Sequence, residues 1–283
     1  MKRILLSAFS DEYSADFGEQ IAALCRLGIR YMEIRGVDGR NVSELSAAEA
    51  KTCAARLADA GISVSAVGSP IGKMPLGGDW LAHRDMAARV FEIAAILDAP
   101  CCRVFSFYIP AGVDASFCRP QVIERLDELL EMATRAGVTL CHENEAGIYG
   151  ESPAQCAELL AALGGRMRCV FDMGNFVLCG YSPYPSAYRM LRPYIRYFHI
   201  KDAVVTGAIV PPGQGEAMIR ETLADFSAGE GEYFVSLEPH LEVFDGLDKL
   251  SGQRPRTLFH YPTQAAAFED AHARLAALLE ELS

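Results

Sequence analysis

The feature that most restricts this chain is a join repeated along it, in which an amphipathic stretch ends at a glycine and a β-like run begins at once. It occurs at Leu27-Gly28-Ile29, Ala60-Gly61-Ile62 and Ala136-Gly137-Val138. Glycine just past a helix end takes up the left-handed conformation that other residues resist. Each join therefore reads as a helix handing directly over to a strand. Eight strand candidates follow from the apolar and β-branched runs, at residues 4–8, 31–34, 63–67, 102–105, 139–142, 168–171, 196–200 and 233–237. Between them apolar residues recur at three- and four-residue spacing, as in Met86, Val90, Ile93 and Leu97, or Val122, Leu126, Leu129 and Leu130. A last helix is expected over 264–280, with Phe268, Ala271, Leu275 and Leu278 on one face.

Eight strands, each followed by a helix, is the count of a closed (β/α)8 TIM barrel. A doubly wound open sheet would carry a glycine-rich phosphate loop after its first strand. Here that position holds Ser7-Ala8-Phe9-Ser10-Asp11-Glu12, without glycine. No Pro/Gly/Ser-rich linker or charge block divides the chain, so the expectation is an α/β protein with a single barrel domain over residues 1–283.

Charge and cysteine content narrow the partners. Lys and Arg number 26 against 37 Asp and Glu, a net charge of −11 that repels phosphate backbones and disfavours nucleic acid. No run approaches the roughly 18 apolar residues of a membrane span. The nine cysteines form no C-x-x-C pair and sit mostly in apolar runs, where a thiol acts as a small hydrophobe. The N-terminal apolar run is broken by Ser7, Ser10 and Asp11 and lacks a small-residue cleavage site. A reduced, cytoplasmic protein is expected.

In a barrel of this kind active sites lie at the C-terminal ends of the strands. Four ionisable residues end the last four strand candidates: Glu143, Asp172, His199 and Glu238, separated by 29, 27 and 39 residues. Each interval is about one strand-plus-helix unit, so the four should stand side by side around half of the mouth, on one rung. Taken singly, such residues are ordinary: an acid at a strand end commonly caps a helix, and a histidine in an apolar strand is commonly a hydrogen-bonded core residue. Four on successive strands are harder to dismiss. Three carboxylates converging in a low-dielectric setting repel one another unless a cation joins them. Three oxygen donors and one imidazole suit one divalent ion, with Mn²⁺, Mg²⁺ or Co²⁺ favoured and Zn²⁺ possible.

Phe171-Asp172-Met173-Gly174-Asn175, His199-Ile200-Lys201-Asp202-Ala203 and Leu237-Glu238-Pro239, with the loop Pro212-Gly213-Gln214-Gly215-Glu216, resemble the xylose isomerase-like TIM-barrel superfamily, in particular its sugar phosphate isomerase/epimerase branch. The likeness runs from the first strand to the last helix. It implies a metal held by Glu143, Asp172, His199 and Glu238, with Glu143 and Glu238 also serving as the two catalytic bases. The implied reaction is isomerisation or epimerisation of a sugar, by proton abstraction alpha to a carbonyl through a metal-stabilised enediolate. Hydride transfer needs a second carboxylate-rich metal site, whose ligands are not evident in the sequence.

Further candidates surround the four. Lys201 shares a strand face with His199 and could bind a substrate hydroxyl, or merely form an ion pair with Asp202 or Glu143. Glu145 should point the same way as Glu143. His142 and His240 could contact substrate or orient a ligand. From the other half of the mouth come Glu33, Arg35, Ser69, Lys73, Arg103, Ser106 and Tyr108. Arg35, Lys73 and Arg103 could hold an anionic group of the substrate, although Glu33 and Arg103 are expected to form a structural pair. Phe9, Phe107 and Trp80 are candidates for the pocket wall.

The expected partner is a small-molecule sugar or polyol, with self-association as a homo-oligomer left open. A metal-dependent dehydratase or lyase acting on a keto-polyol or cyclitol in the same site is the alternative. An endonuclease IV-like enzyme would need three zincs and many more ligands than six histidines allow. A sugar-binding protein on a decayed barrel conflicts with four intact candidate ligands.

Overall fold

A computed structural model describes residues 3–242 and 256–282. Eight parallel strands close into a barrel: β1 (Arg3–Ala8), β2 (Tyr31–Ile34), β3 (Ser63–Gly68), β4 (Cys101–Val104), β5 (Thr139–Glu143), β6 (Arg168–Asp172), β7 (Ile195–Ile200) and β8 (Glu232–Leu237). Strand order around the barrel follows the sequence. Closure is made by β1 on β8, in register from Arg3 opposite Glu232 to Ala8 opposite Leu237. Every one of the eight expected strands is present, with ends shifted by one residue at most.

The helices on the outside include α1 (Phe17–Arg26), α2 (Ala47–Asp59), α3 (Trp80–Ile96), α4 (Ala115–Arg135), α5 (Pro153–Ala162), α6 (Met173–Leu178), α7 (Tyr188–Leu191), α8 (Ile219–Ser227) and α9 (Gln264–Glu280). Most start on an acceptor side chain: Asp16, Ser46, Asp79, Asp114, Ser152 and Thr263 each accept a first-turn backbone N–H. The glycine joins behave as expected, with Gly28, Gly61 and Gly137 at φ 74°, 67° and 74°. A fourth join, Leu97-Asp98-Ala99, puts Asp98 at φ 52° in the same role. Aspartate tolerates this conformation because its short side chain can bond locally.

Barrel interior and barrel exterior are separate layers. Helices and the outer strand faces share one large apolar cluster, while Ala66, Cys101, Cys141, Val170 and Tyr197 form a second, small one. Four of these five stand two residues before Arg103, Glu143, Asp172 and His199. With a period of two, side chains two apart share a face, so the small cluster is the floor of the barrel and the ionisable residues are the layer above it. All nine cysteines are free and seven are buried. No described helix is long and apolar enough to cross a membrane.

Two small features were not anticipated: a hairpin of Gly36–Val37 with Arg40–Asn41, and a sheet of Asp202–Val204, Ala208–Val210 and Arg256–Thr257. Both decorate loops at the C-terminal mouth and are too short to show a period.

Candidate active site

Glu143, Asp172, His199 and Glu238 converge at the mouth, each offering a ligating atom within 4.8 Å of the others. All four are buried, at 2% exposure or less. They do not stand on one rung as expected. Asp172 is level with His199, but Glu143 is level with Val170, and His199 is level with Ser236, two residues before Glu238. Barrel shear staggers neighbouring strands, and the side chains make up the difference.

Asp172 does two jobs. Its Oδ1 accepts the Asn175 N–H at 2.8 Å and so caps α6, while Oδ2 is turned into the cluster, 3.0 Å from Lys201 Nζ. The Asn144 side chain locks β5 to β6, giving Nδ2–H to the Asp172 carbonyl and accepting the Asp172 N–H. Gly174 is required by closeness: a Cβ there would stand 2.6 Å from the Lys201 carbonyl oxygen.

Each glutamate has one oxygen occupied by an arginine. Glu143 Oε2 lies 3.1 Å from Arg103 Nη1, and Glu238 Oε1 lies 2.7 Å from Arg35 Nη1. The remaining oxygens face the histidine, with His199 Nδ1 at 2.9 Å from Glu143 Oε1 and 3.3 Å from Glu238 Oε2. On its far side, His199 Nε2 meets Glu33 Oε2 at 3.1 Å, and Glu33 Oε1 accepts the Tyr197 hydroxyl at 2.8 Å. Phe9 packs edge-on to the imidazole, ring centres 5.1 Å apart.

This corrects the expected Glu33–Arg103 pair. Glu33 serves His199 and Tyr197, and Arg103 serves Glu143 on the neighbouring strand, because strand spacing says nothing about which side chains meet inside the barrel. Lys201 pairs with Asp172 (3.0 Å) and, more loosely, Glu238 (3.5 Å), rather than with Asp202 or Glu143. Asp202 instead accepts backbone N–H groups from Ala203, Gly213, Gly215 and Ala217, which pins the glycine-containing loop after β7. Glu145 lies beyond the end of β5 and turns to Lys73 at 3.0 Å, while Lys73 covers the Phe105 ring. His142 points off the cluster: its Nε2 is 2.9 Å from Ser106 Oγ, which also accepts the Gly150 N–H. His240 approaches Glu12 (3.3 Å) and Glu238 (3.4 Å). Phe107 and Trp80 pack with His83. Sequence reasoning missed Asp11 and Glu12, although an acidic pair just past the first strand is the same signal that singled out the other four.

The electrostatics call for a cation. Six buried carboxylates (Asp11, Glu12, Glu33, Glu143, Asp172, Glu238) face three permanent cations (Arg35, Arg103, Lys201). Burial alone would raise the Glu143 carboxyl, but His199 and Arg103 hold it down at about 2. Glu238 is likewise depressed against burial, by Lys201, His240 and His199. Asp172 is pushed up to about 6 by burial, with Glu143 and Glu238 adding to it. The imidazole of His199 is driven well above its ordinary value, against burial, by Glu33, Glu143 and Glu238. With Nε2–H given to Glu33, the space between Nδ1, Glu143 and Glu238 calls for positive charge, either a proton on Nδ1 or a cation among the three. With the Asp172 carboxylate beside them, this donor set of three carboxylates and one imidazole fits a divalent ion.

Residues 21–240 match the family model described as xylose isomerase-like TIM barrel. The chain belongs to that family. A search of the curated proteins returns no match. Among solved structures of this fold, the chain is similar to D-psicose 3-epimerase with D-tagatose from Clostridium cellulolyticum H10, at 16% identity over 100% of both chains and a TM-score of 0.73. It is also similar to the probable 3-DHS dehydratase AsbF from Bacillus anthracis, at 15% identity over 99% of both chains and a TM-score of 0.71. A third is a xylose isomerase-like TIM barrel protein from Mycobacterium smegmatis in complex with magnesium, at 18% identity over 100% and 98% and a TM-score of 0.69. At such identities the family members share the barrel, and the reaction must be argued from the site.

Proposed function

We propose that this protein is a divalent-metal-dependent isomerase or epimerase of a small sugar or polyol, working by proton removal from a carbon next to a carbonyl. The convergence of Glu143, Asp172, His199 and Glu238 in one buried cluster carries the reading. These four would hold the ion, and three carboxylate oxygens with one imidazole nitrogen favour Mn²⁺, Mg²⁺ or Co²⁺, with Zn²⁺ allowed. Bound there, the ion supplies positive charge to the substrate's carbonyl and adjacent hydroxyl oxygens as negative charge develops on them.

The chain's own groups supply the proton chemistry. Glu143 arrives from β5 and Glu238 from β8, on either side of His199. Both carboxyls are held ionised, so each can accept a proton. Two bases that approach from different sides suit removal of the α-proton from one face and delivery of a proton to the opposite face of the planar enediolate that results. Arg103 and Arg35 each hold one glutamate oxygen, which fixes the direction of the other. Lys201 supplies a charged donor beside Asp172 and Glu238, placed to hydrogen-bond a substrate hydroxyl. The sugar epimerase among the similar structures supports this choice of substrate class.

A second reading has its own observation. An ammonium 3.0 Å from Asp172 and 3.5 Å from Glu238 also suits stabilisation of a departing β-hydroxyl, which would make the reaction an elimination. Ketoses and keto-polyols incubated with metal-loaded protein in D₂O and followed by NMR separate the two. Deuterium at the α-carbon without loss of water supports isomerisation or epimerisation, and a conjugated product absorbing in the ultraviolet supports dehydration. Glu143→Gln and Glu238→Gln should each lower kcat by about 10²–10⁴-fold with unchanged circular dichroism. Full activity in either variant would remove that residue from the base role.

A further inference from the structure

Beside the four-residue cluster lies a second convergence that shares Glu238. Glu12, Glu238 and His240 also place ligating atoms within 4.8 Å of one another. A carboxylate shared by two such groups is how proteins bridge two divalent ions, typically about 3.5–4 Å apart. In this chain, however, the second position is filled from within. Arg35 Nη1 donates to Glu238 Oε1 at 2.7 Å and Nη2 to Glu12 Oε1 at 3.0 Å. Those are the same two oxygens that face His240 Nε2 at 3.4 and 3.3 Å.

The guanidinium is held in that place on every side. Asp11 grips it twice, Oδ2 to Nε at 2.8 Å and Oδ1 to Nη2 at 3.1 Å. The Phe9 ring lies beneath it, 4.3 Å from the guanidinium carbon. The next residue, Gly36, leaves room for Asp11, since a Cβ there would stand 2.9 Å from Asp11 Cβ and Oδ2. Arg35 is 2% exposed. A planar fork fixed by three carboxylates and stacked on a ring is the use for which arginine, not lysine, is suited.

The geometry points to Arg35 as a built-in cation that takes the place of a second metal ion, restricting the centre to one ion and leaving Glu238 a single oxygen, Oε2, for that ion and for the substrate proton. Arg35 is thus a positioning residue acting through Glu238. The inference rests on the metal-centre reading above and deepens it. A one-ion centre has no second Lewis acid beside the carbonyl carbons, which favours proton transfer over a hydride shift.

Mn²⁺ bound per chain, read by elemental analysis and electron paramagnetic resonance, tests this. Wild-type protein should hold one ion with an uncoupled signal. Arg35→Gln should take up a second ion at millimolar Mn²⁺ and show a spin-coupled pair, and adding Glu12→Gln should return it to one. Arg35→Lys, which restores a charge, should stay at one. Because Arg35→Gln removes a buried cation and could unfold the barrel, single Glu12→Gln and His240→Asn variants give an independent measure. Each should keep one ion, with affinity altered less than about tenfold, against the 10–100-fold typical of losing a residue that supports a ligand. Two ions in the wild type, one ion in folded Arg35→Gln, or loss of the ion in Glu12→Gln would overturn the role given to Arg35 and leave the metal centre standing. No bound ion in the wild type would overturn the metal centre itself and this inference with it.

Discussion

Glu33 decides which nitrogen of His199 would face a metal in the proposed centre. It is 1% exposed and accepts from Tyr197 and His199, so it holds the Nε2–H and turns Nδ1 toward Glu143 and Glu238. Partners of this kind orient the imidazole and raise its basicity. Glu33→Gln should therefore weaken metal affinity about 10–100-fold in a competition titration, with the fold intact, and unchanged affinity would dismiss the role. His142, one residue before Glu143, belongs to stability instead. Burial lowers its pKa to about 4, below the roughly 6.5 of an unfolded histidine. Between those values the unfolded chain binds more protons, so stability rises with pH and is lost on acidification. The loss attributable to His142 between pH 7 and pH 5 is about 2 kcal/mol. Urea unfolding at the two pH values should show a correspondingly smaller difference in His142→Gln. Neither role was legible in the sequence. Alternation along a strand predicts a shared face for 141 and 143, but not which group 142 meets outside the barrel.

At the scale of elements, the join of β6 to α6 carries the most function in the fewest residues. Asp172 ends the strand, caps the helix through Oδ1 and turns Oδ2 to the cluster, so strand and helix meet with no loop between them. The close approach of Lys201 at Gly174 makes that join intolerant of a side chain. Gly174→Ala should cost about 1–3 kcal/mol, the usual range for overpacking, and should disturb the Lys201–Asp172 pair as well. Thermal unfolding and metal affinity measured together would show both effects, and an unaltered variant would contradict the stated contact. The strands, and the acids and histidine that end the last four, were visible from period and spacing, because both are local properties of the chain. Asp98 in place of a join glycine, the 36–41 hairpin and the sheet formed with 256–257 were not, since each depends on conformational tolerance or on partners distant in sequence.

For the whole molecule, charge dominates. The net charge is −11, and the mouth concentrates buried acids beyond what Arg35, Arg103 and Lys201 offset. A ligand that binds the folded chain alone adds stability as RT ln(1 + [L]/Kd), about 2.7 kcal/mol at a hundredfold excess over Kd. Mn²⁺ should accordingly raise the unfolding temperature by several degrees, and EDTA should reverse it. Equal melting temperatures with and without the ion would argue that the buried acids are balanced by protons. By itself the sequence determined the barrel and the four residues at its mouth, because a repeated helix–glycine–strand unit and a fixed strand length set both without reference to distant contacts. Only the tertiary structure decided that Glu33 serves His199, that Arg103 and Arg35 each hold one glutamate, and that Lys201 turns to Asp172. Two of those pairings, Glu33 with His199 and Arg35 with Glu238, join strands that are not neighbours, and the other two join neighbouring strands; in both cases side-chain reach and shear, not spacing, select the partner.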